Sequence, residues 1–348
     1  MAEQERSWAG LLAGILGAIF TATGFAMAQD DAPAPSRDLS NRDGPPAAYH
    51  VQDDWLKLPA GRVWGAVSAV DMDRDGKSVW MFERCGNLDD GCVLHKDVNP
   101  ILKFDAGGNL VKSLGAGLFA YPHGIFVDRD DNVWVVDGVS KTHVVGDTIR
   151  IFSPDGKLLK TMGTPGVAGD GPYVFNGVSD VLQAPGGDIF VADGHDAGSN
   201  GRIIKYDRNG KFLMQWGKRG DGPTDFNPPH GLAMDKEGRL YVADRGNKDI
   251  KIFDQNGKLL QDWKQFGTPS GVFVDKNDIL YVADSTSSPK NNPGFNPGIR
   301  MAKVSDGQVF GYIGWPQTGT LEGVAVDDAG NIYGGFTNIP GSHRFVRN

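Results

Sequence analysis

GIFVDRDDNVWVVD (residues 124–137), GLAMDKEGRLYVAD (231–244), GVFVDKNDILYVAD (271–284) and GVAVDDAGNIYGGF (323–336) are four copies of one block. A divergent copy, DVLQAPGGDIFVAD, occupies 180–193, and VSAVDMDRDGKSVWMFE at 67–83 opens the series with one extra residue. The block starts at 67, 124, 180, 231, 271 and 323 lie 40 to 57 residues apart, a period that suits repeated sheet units. Each block reads as an apolar strand, a tight turn of the D-x-x-G kind and a second strand rich in β-branched and aromatic residues, which is a hairpin by its chemistry. A third strand, a turn and a return strand follow in ILKFDAGGNL (101–110), IRIFSPDGKL (149–158), IIKYDRNGKF (203–212) and IKIFDQNGKL (250–259). Four strands repeated six times predict an all-β fold, a six-bladed β-propeller, because radial closure removes the open edges that so many strands would otherwise expose. The last blade is short of an outer strand at the C-terminus, so that strand is expected from the N-terminal side, around residues 49–58.

Composition narrows the function classes. Glycine supplies 49 of the 348 residues, hydrophobic residues 40 % and charged residues 22 %, which excludes wholesale disorder and a coiled coil. The net charge is -8 and no run of lysine or arginine marks a nucleic-acid footprint, so nucleic acid is not an expected partner. Residues 1–28 read as a signal peptide: an apolar run over 9–25 precedes Ala26-Met27-Ala28, small at the two positions a signal peptidase reads. Export to the periplasm or the medium is therefore expected, with an uncleaved N-terminal anchor as the alternative and no other membrane segment. Residues 29–48, rich in Pro, Asp and Ser, read as a flexible linker, and 49–348 as the propeller, expected to act as a monomer. In an exported chain, Cys85 and Cys92 in CGNLDDGC predict a local disulfide. A zinc site is the weaker reading of that lone pair.

The repeat also aligns the chemistry. The residues just before the blocks, His123, Ser179, His230, Ser270 and Glu322, lie 14 positions before Asp137, Asp193, Asp244, Asp284 and Phe336, and are expected to be their hairpin neighbours. All would face one mouth of the central channel, with Ser179 and Ser270 as candidate substrate contacts. His123, His230 and Glu322 fall on blades 2, 4 and 6, about 120° apart around the axis. Two imidazoles and a carboxylate converging in a cavity suit zinc, or non-haem iron as the alternative. Against this stands the reading in which each histidine merely hydrogen-bonds the neighbouring blade. Arg84 and Arg245 follow the second strands of blades 1 and 4, where cations suit a small anionic substrate. The competing reading pairs them with Glu83 and Asp244. His195, two residues after Asp193, is placed to move a proton, or else is an exposed loop histidine. His50, His95, His143 and His343 match no repeat position and read as surface or packing residues.

From about residue 49 to 336 the blocks resemble NHL repeats, and their order is similar to that in the peptidyl-α-hydroxyglycine α-amidating lyases and their bacterial relatives. The likeness rests on WLKLP (55–59), LFAYPHG (118–124), VSDV (178–181), VADG (191–194), and FNPPHG (226–231) followed by VADR (242–245). It implies a six-bladed propeller whose zinc is held by histidines before the first strands of three blades, two of them His123 and His230. It also implies substrate-engaging arginines at Arg84 and Arg245, and cleavage of an α-hydroxyglycine carbon–nitrogen bond at a peptide C-terminus, releasing an amide and glyoxylate. Two departures stand out. Glu322-Gly323 replaces the family's His-Asp, which leaves the third ligand and the family's calcium site open, and His195 stands where the family has a tyrosine base. Three readings follow: a metal-dependent lyase, a metal-dependent propeller hydrolase such as a lactonase, and a non-catalytic NHL-type binding module of the cell envelope.

Overall fold

The computed structural model describes residues 42–88, 91–138, 145–315 and 319–348. Within them, alternation and turn chemistry resolve into six four-stranded antiparallel sheets, each ordered from the channel outward. The inner strands are Val67–Met72, Pro122–Val127, Val178–Gln183, Pro229–Met234, Pro269–Val274 and Leu321–Val326 in blades 1 to 6. Second strands such as Val133–Asp137 and Leu240–Asp244 are buried along their whole length, because neighbours cover both faces, whereas the outer strand of blade 1, Leu110–Leu114, alternates. Blade 6 takes its outer strand from the start of the domain: Tyr49–Gln52 pairs with Ser342–Arg347, which closes the ring as expected.

The repeated Asp of the turn is structural. In five blades its carboxylate accepts a hydrogen bond from an aromatic residue six or seven positions on: Trp80 to Asp73, Trp134 to Asp128, Tyr241 to Asp235, Tyr281 to Asp275 and Tyr333 to Asp327, at 2.9 to 3.3 Å. Blade 3 has Ala184 and Phe190 at these positions, an apolar pair in place of the polar one.

The inner hairpins differ from the expected register by one residue. The partners of Asp137, Asp193, Asp244, Asp284 and Phe336 are Pro122, Val178, Pro229, Pro269 and Leu321, not the residues that follow them. A β-bulge after each of these positions takes up the extra residue and turns the next side chain into the channel. The inner strands also lie very close to one another. A Cβ at Gly231 would sit 2.4 Å from the Ser270 carbonyl oxygen, and one at Gly271 2.4 Å from that of Glu322, so only glycine fits there.

Residues 42–48, the end of the segment read as a linker, lie along blade 5: the Arg42 and Ala47 amides donate to the Gly294 and Tyr312 carbonyls at 2.8 Å, and Asp43 pairs with buried Arg300. Residues 1–41, which hold the expected signal peptide, lie outside the described residues. No helix among the described residues is long and apolar enough to cross a membrane. Cys85 and Cys92 form a buried disulfide, as expected.

Candidate metal centre

The bulges place His123, His230 and Glu322 at equivalent steps on blades 2, 4 and 6, with 3 %, 3 % and 6 % exposure. His123 Nδ1 lies 2.7 Å from the Ser179 carbonyl oxygen, and His230 Nδ1 lies 3.3 Å from that of Ser270. A carbonyl only accepts, so both Nδ1 atoms carry the proton and both Nε2 atoms keep a lone pair. Each Nε2 is buried without a hydrogen-bond partner. The two readings of these histidines are thus compatible: one ring nitrogen bonds the neighbouring blade while the other faces the channel. Glu322 Oε1 lies 2.9 Å from His230 Nε2, though not in hydrogen-bond alignment, and 3.9 Å from His123 Nε2.

His195 joins this group from the loop after the second strand of blade 3. Its ring centroid lies 4.4 Å from that of His123 and 5.2 Å from that of His230, and its Nδ1 bonds Asp196 Oδ1 at 2.8 Å. The ligand atoms of His123, His195, His230 and Glu322 all lie within 4.8 Å of one another. The repeat could not reveal His195 as a member of this cluster, because it sits off the repeat position.

Electrostatics prepare the group for a cation. Burial, then the nearby His195 and His230, hold His123 well below the usual histidine value. Burial and the Arg245 charge push His230 down to about 4, against the pull of Glu322. Burial alone would raise Glu322, but His230, Arg245 and His123 outweigh it and hold the carboxyl well below its ordinary range. At neutral pH His123 and His230 are therefore neutral imidazoles and Glu322 is a carboxylate, the form in which such groups bind a metal. The orphaned Nε2 atoms and this donor set fit a divalent ion of the zinc or iron class.

Around the cluster the remaining candidates divide. Arg245 bonds Glu322 Oε1 through Nη1 at 3.2 Å and lies 3.4 Å from His195 Nε2 through Nη2, while Asp244 takes Lys251 at 2.8 Å. Arg84 is 5 % exposed, with Tyr121 stacked on its guanidinium at 3.9 Å and Nε 3.5 Å from the Pro122 carbonyl oxygen; Glu83 pairs with Arg62 instead. Among the described residues Arg84 has no carboxylate partner. Burial raises the Tyr121 phenol, so it stays protonated and able to donate at the mouth. The Ser179 hydroxyl donates to the Pro229 carbonyl and that of Ser270 to Ser285 Oγ, both at 2.8 Å, so these serines hold blades and orient histidines through their own carbonyls. His50 and His95 are exposed, His343 packs on Trp315 and Phe336, and His143 lies outside the described residues.

The channel holds a cavity of about 560 Å³ whose lining includes His123, His230 and Glu322 and also Asp71 and Asp180, whose carboxyls burial pushes up to about 7. Folded Asp180 thus holds its proton at every pH from 3.8, its ordinary value, to about 7, where the unfolded chain has lost it. Its contribution to stability is full below that range and vanishes as the pH rises through it. Relative to the wild type, Asp180→Asn should gain on the order of 4 kcal/mol between about pH 4 and pH 8. Urea unfolding at both pH values reads this difference, and a pH-independent one would refute the protonated state.

The NHL repeat family matches residues 226–253. NHL repeat-containing protein 3 of Homo sapiens is 38 % identical over 221 residues, covering 62 % of this chain and 59 % of the human protein. Peptidyl-α-hydroxyglycine α-amidating lyase 1 of Drosophila melanogaster is 32 % identical over 231 residues, covering 59 % of this chain and 40 % of the fly protein. The chain thus spans less than two thirds of either relative. The solved structure of a gluconolactonase from Xanthomonas campestris shares the fold, with a TM-score of 0.57 and 19 % identity over 87 % of this chain and 97 % of that one. Repeat, blades and relatives agree: the chain is a six-bladed β-propeller carrying an NHL repeat, with homologues among the NHL repeat-containing proteins and the peptidyl-α-hydroxyglycine α-amidating lyases.

Proposed function

We propose that this chain is an exported, monomeric, metal-dependent lyase that cleaves an N-acyl-α-hydroxyglycine, such as an α-hydroxylated peptide C-terminus, into an amide and glyoxylate. The observation that carries this reading is Arg84, a buried guanidinium without a carboxylate partner among the described residues, at the mouth that holds the His/Glu cluster. A buried charge is costly unless it is paired, so this position calls for an anion. His123, His230 and Glu322 would hold zinc, or iron as the alternative, and the ion would supply Lewis-acid polarisation of a substrate oxygen. Arg84, its plane fixed by Tyr121, binds the substrate carboxylate through two parallel hydrogen bonds. Arg245 holds the Glu322 carboxylate in place. His195, with its Nδ1 proton on Asp196, offers the Nε2 lone pair to the α-hydroxyl proton. As that proton leaves, the carbon–oxygen double bond of glyoxylate forms, the carbon–nitrogen bond breaks and its electron pair goes to nitrogen. The nitrogen then takes up a proton as the amide, and no water is consumed.

The test is to supply the metal-loaded protein with an N-acyl-α-hydroxyglycine and measure both products. Glyoxylate and amide in equal amounts are expected. Metal uptake without glyoxylate, but with opening of a lactone, would move the chain to the hydrolase reading. No metal uptake and no turnover would leave the non-catalytic binding module.

A further inference from the structure

We infer that His195 is an exchangeable fourth ligand of this metal centre, supplied by the blade 3 loop beside the three ligands that the inner strands carry. The inference rests on the metal reading above and adds a role for the blade 3 loop. Three of the four donors sit on inner-strand bulges and are almost wholly buried. The fourth differs in every respect: His195 lies beyond the second strand of blade 3, and its side chain is 12 % exposed.

That loop is held at its two ends. The Gly194 amide donates to the Gly177 carbonyl at 2.9 Å, and Asn200 Nδ2 donates to Asp193 Oδ2 at 2.9 Å. A Cβ at Gly194, where φ is 152°, would sit 1.6 Å from the Asn200 carbonyl oxygen, so the pinch requires glycine. Between the ends, Asp196 accepts the Nδ1 proton of His195 and thereby leaves the Nε2 lone pair on the side of the cluster, where Arg245 Nη2 donates to it at 3.4 Å until a metal takes its place. A carboxylate behind an imidazole in this way fixes the tautomer and orientation of a metal-ligating histidine and raises its basicity. Asp196 itself is half exposed, so the pair forms the solvent side of a site that is otherwise walled by strands.

Four protein donors close a tetrahedral shell, the arrangement of structural zinc, whereas a catalytic ion needs an open position. His123 and His230 are held on inner strands by their Nδ1 hydrogen bonds to the neighbouring blades, and Glu322 by Arg245. His195 can leave by a change in a short loop whose anchors stay in place. Its departure opens the position a substrate oxygen needs, and frees the Nε2 lone pair beside it.

Cobalt(II) serves as the probe, titrated into the metal-stripped chain against a competing chelator and followed by its visible spectrum. The wild type, His195→Ala and Asp196→Asn are compared, with circular dichroism confirming that each is folded. The wild type should show the intense bands of four-coordinate cobalt. Asp196→Asn should bind about 10-fold more weakly, and His195→Ala more weakly still, with fainter bands as solvent replaces the ring. Glyoxylate, at concentrations where calorimetry shows it bound, should shift the wild-type bands toward those of His195→Ala. Equal affinity and spectra in wild type and His195→Ala would overturn the inference and leave the metal reading intact. Bands unmoved by bound glyoxylate would make His195 a fixed ligand and overturn the exchange. No cobalt uptake by the wild type would overturn the metal reading itself.

Discussion

Replacing Arg84 by alanine is expected to lower kcat/KM for an acidic substrate by at least about 30-fold, since losing one partner of a buried charge pair costs 2 kcal/mol or more. The loss falls on KM, because the carboxylate is bound alike before and during carbon–nitrogen cleavage. The same variant should turn over the carboxamide analogue of that substrate as the wild type does, because nothing in the analogue needs the guanidinium. Arg84→Lys should not rescue the acid: an ammonium lacks both the flat face that Tyr121 covers and the fork that grips two oxygens. Steady-state kinetics on the acid and the amide decide the matter. An equal loss on both would mean that Arg84 only supports the mouth.

His230→Ala should strip the metal. Loss of a partner behind a ligand already costs 10- to 100-fold in affinity, so loss of the ligand should exceed about 100-fold. Metal content by elemental analysis should fall to background and turnover with it. The fold should survive, since each inner strand is hydrogen-bonded within its own blade and packs on both neighbouring blades, and one channel side chain contributes little to that core. A melting temperature within about 3 °C of the metal-stripped wild type is expected. Full metal occupancy in this variant would remove His230 from the ligand set.

The fold was legible because its instructions are local. Strand alternation, D-x-x-G turns and a fixed period each act over a few residues, and six copies leave little choice of architecture. Even the closing strand at Tyr49–Gln52 followed from counting strands. Much of the site was legible for the same reason: His123, His230 and Glu322 share a repeat position, and radial symmetry turns a shared position into convergence.

The rest depended on distance and direction, which a repeat does not encode. The bulge that turns these side chains inward shifted the register by one residue, which the 14-residue spacing along the chain does not encode. Arg245 passes over its neighbour Asp244, already held by Lys251, and reaches Glu322, 77 positions along the chain. Ser179 and Ser270 share the ligand position, but their hydroxyls are taken by the Pro229 carbonyl and by Ser285. His195 enters the cluster because its loop is pinned at Gly194 and Asn200 and its ring is held by Asp196. Hydrogen-bond and hydrophobic periodicities along the chain specify blades and their order. Which loop side chain completes a site at the axis is settled only when the ring closes and packing fixes where each side chain points.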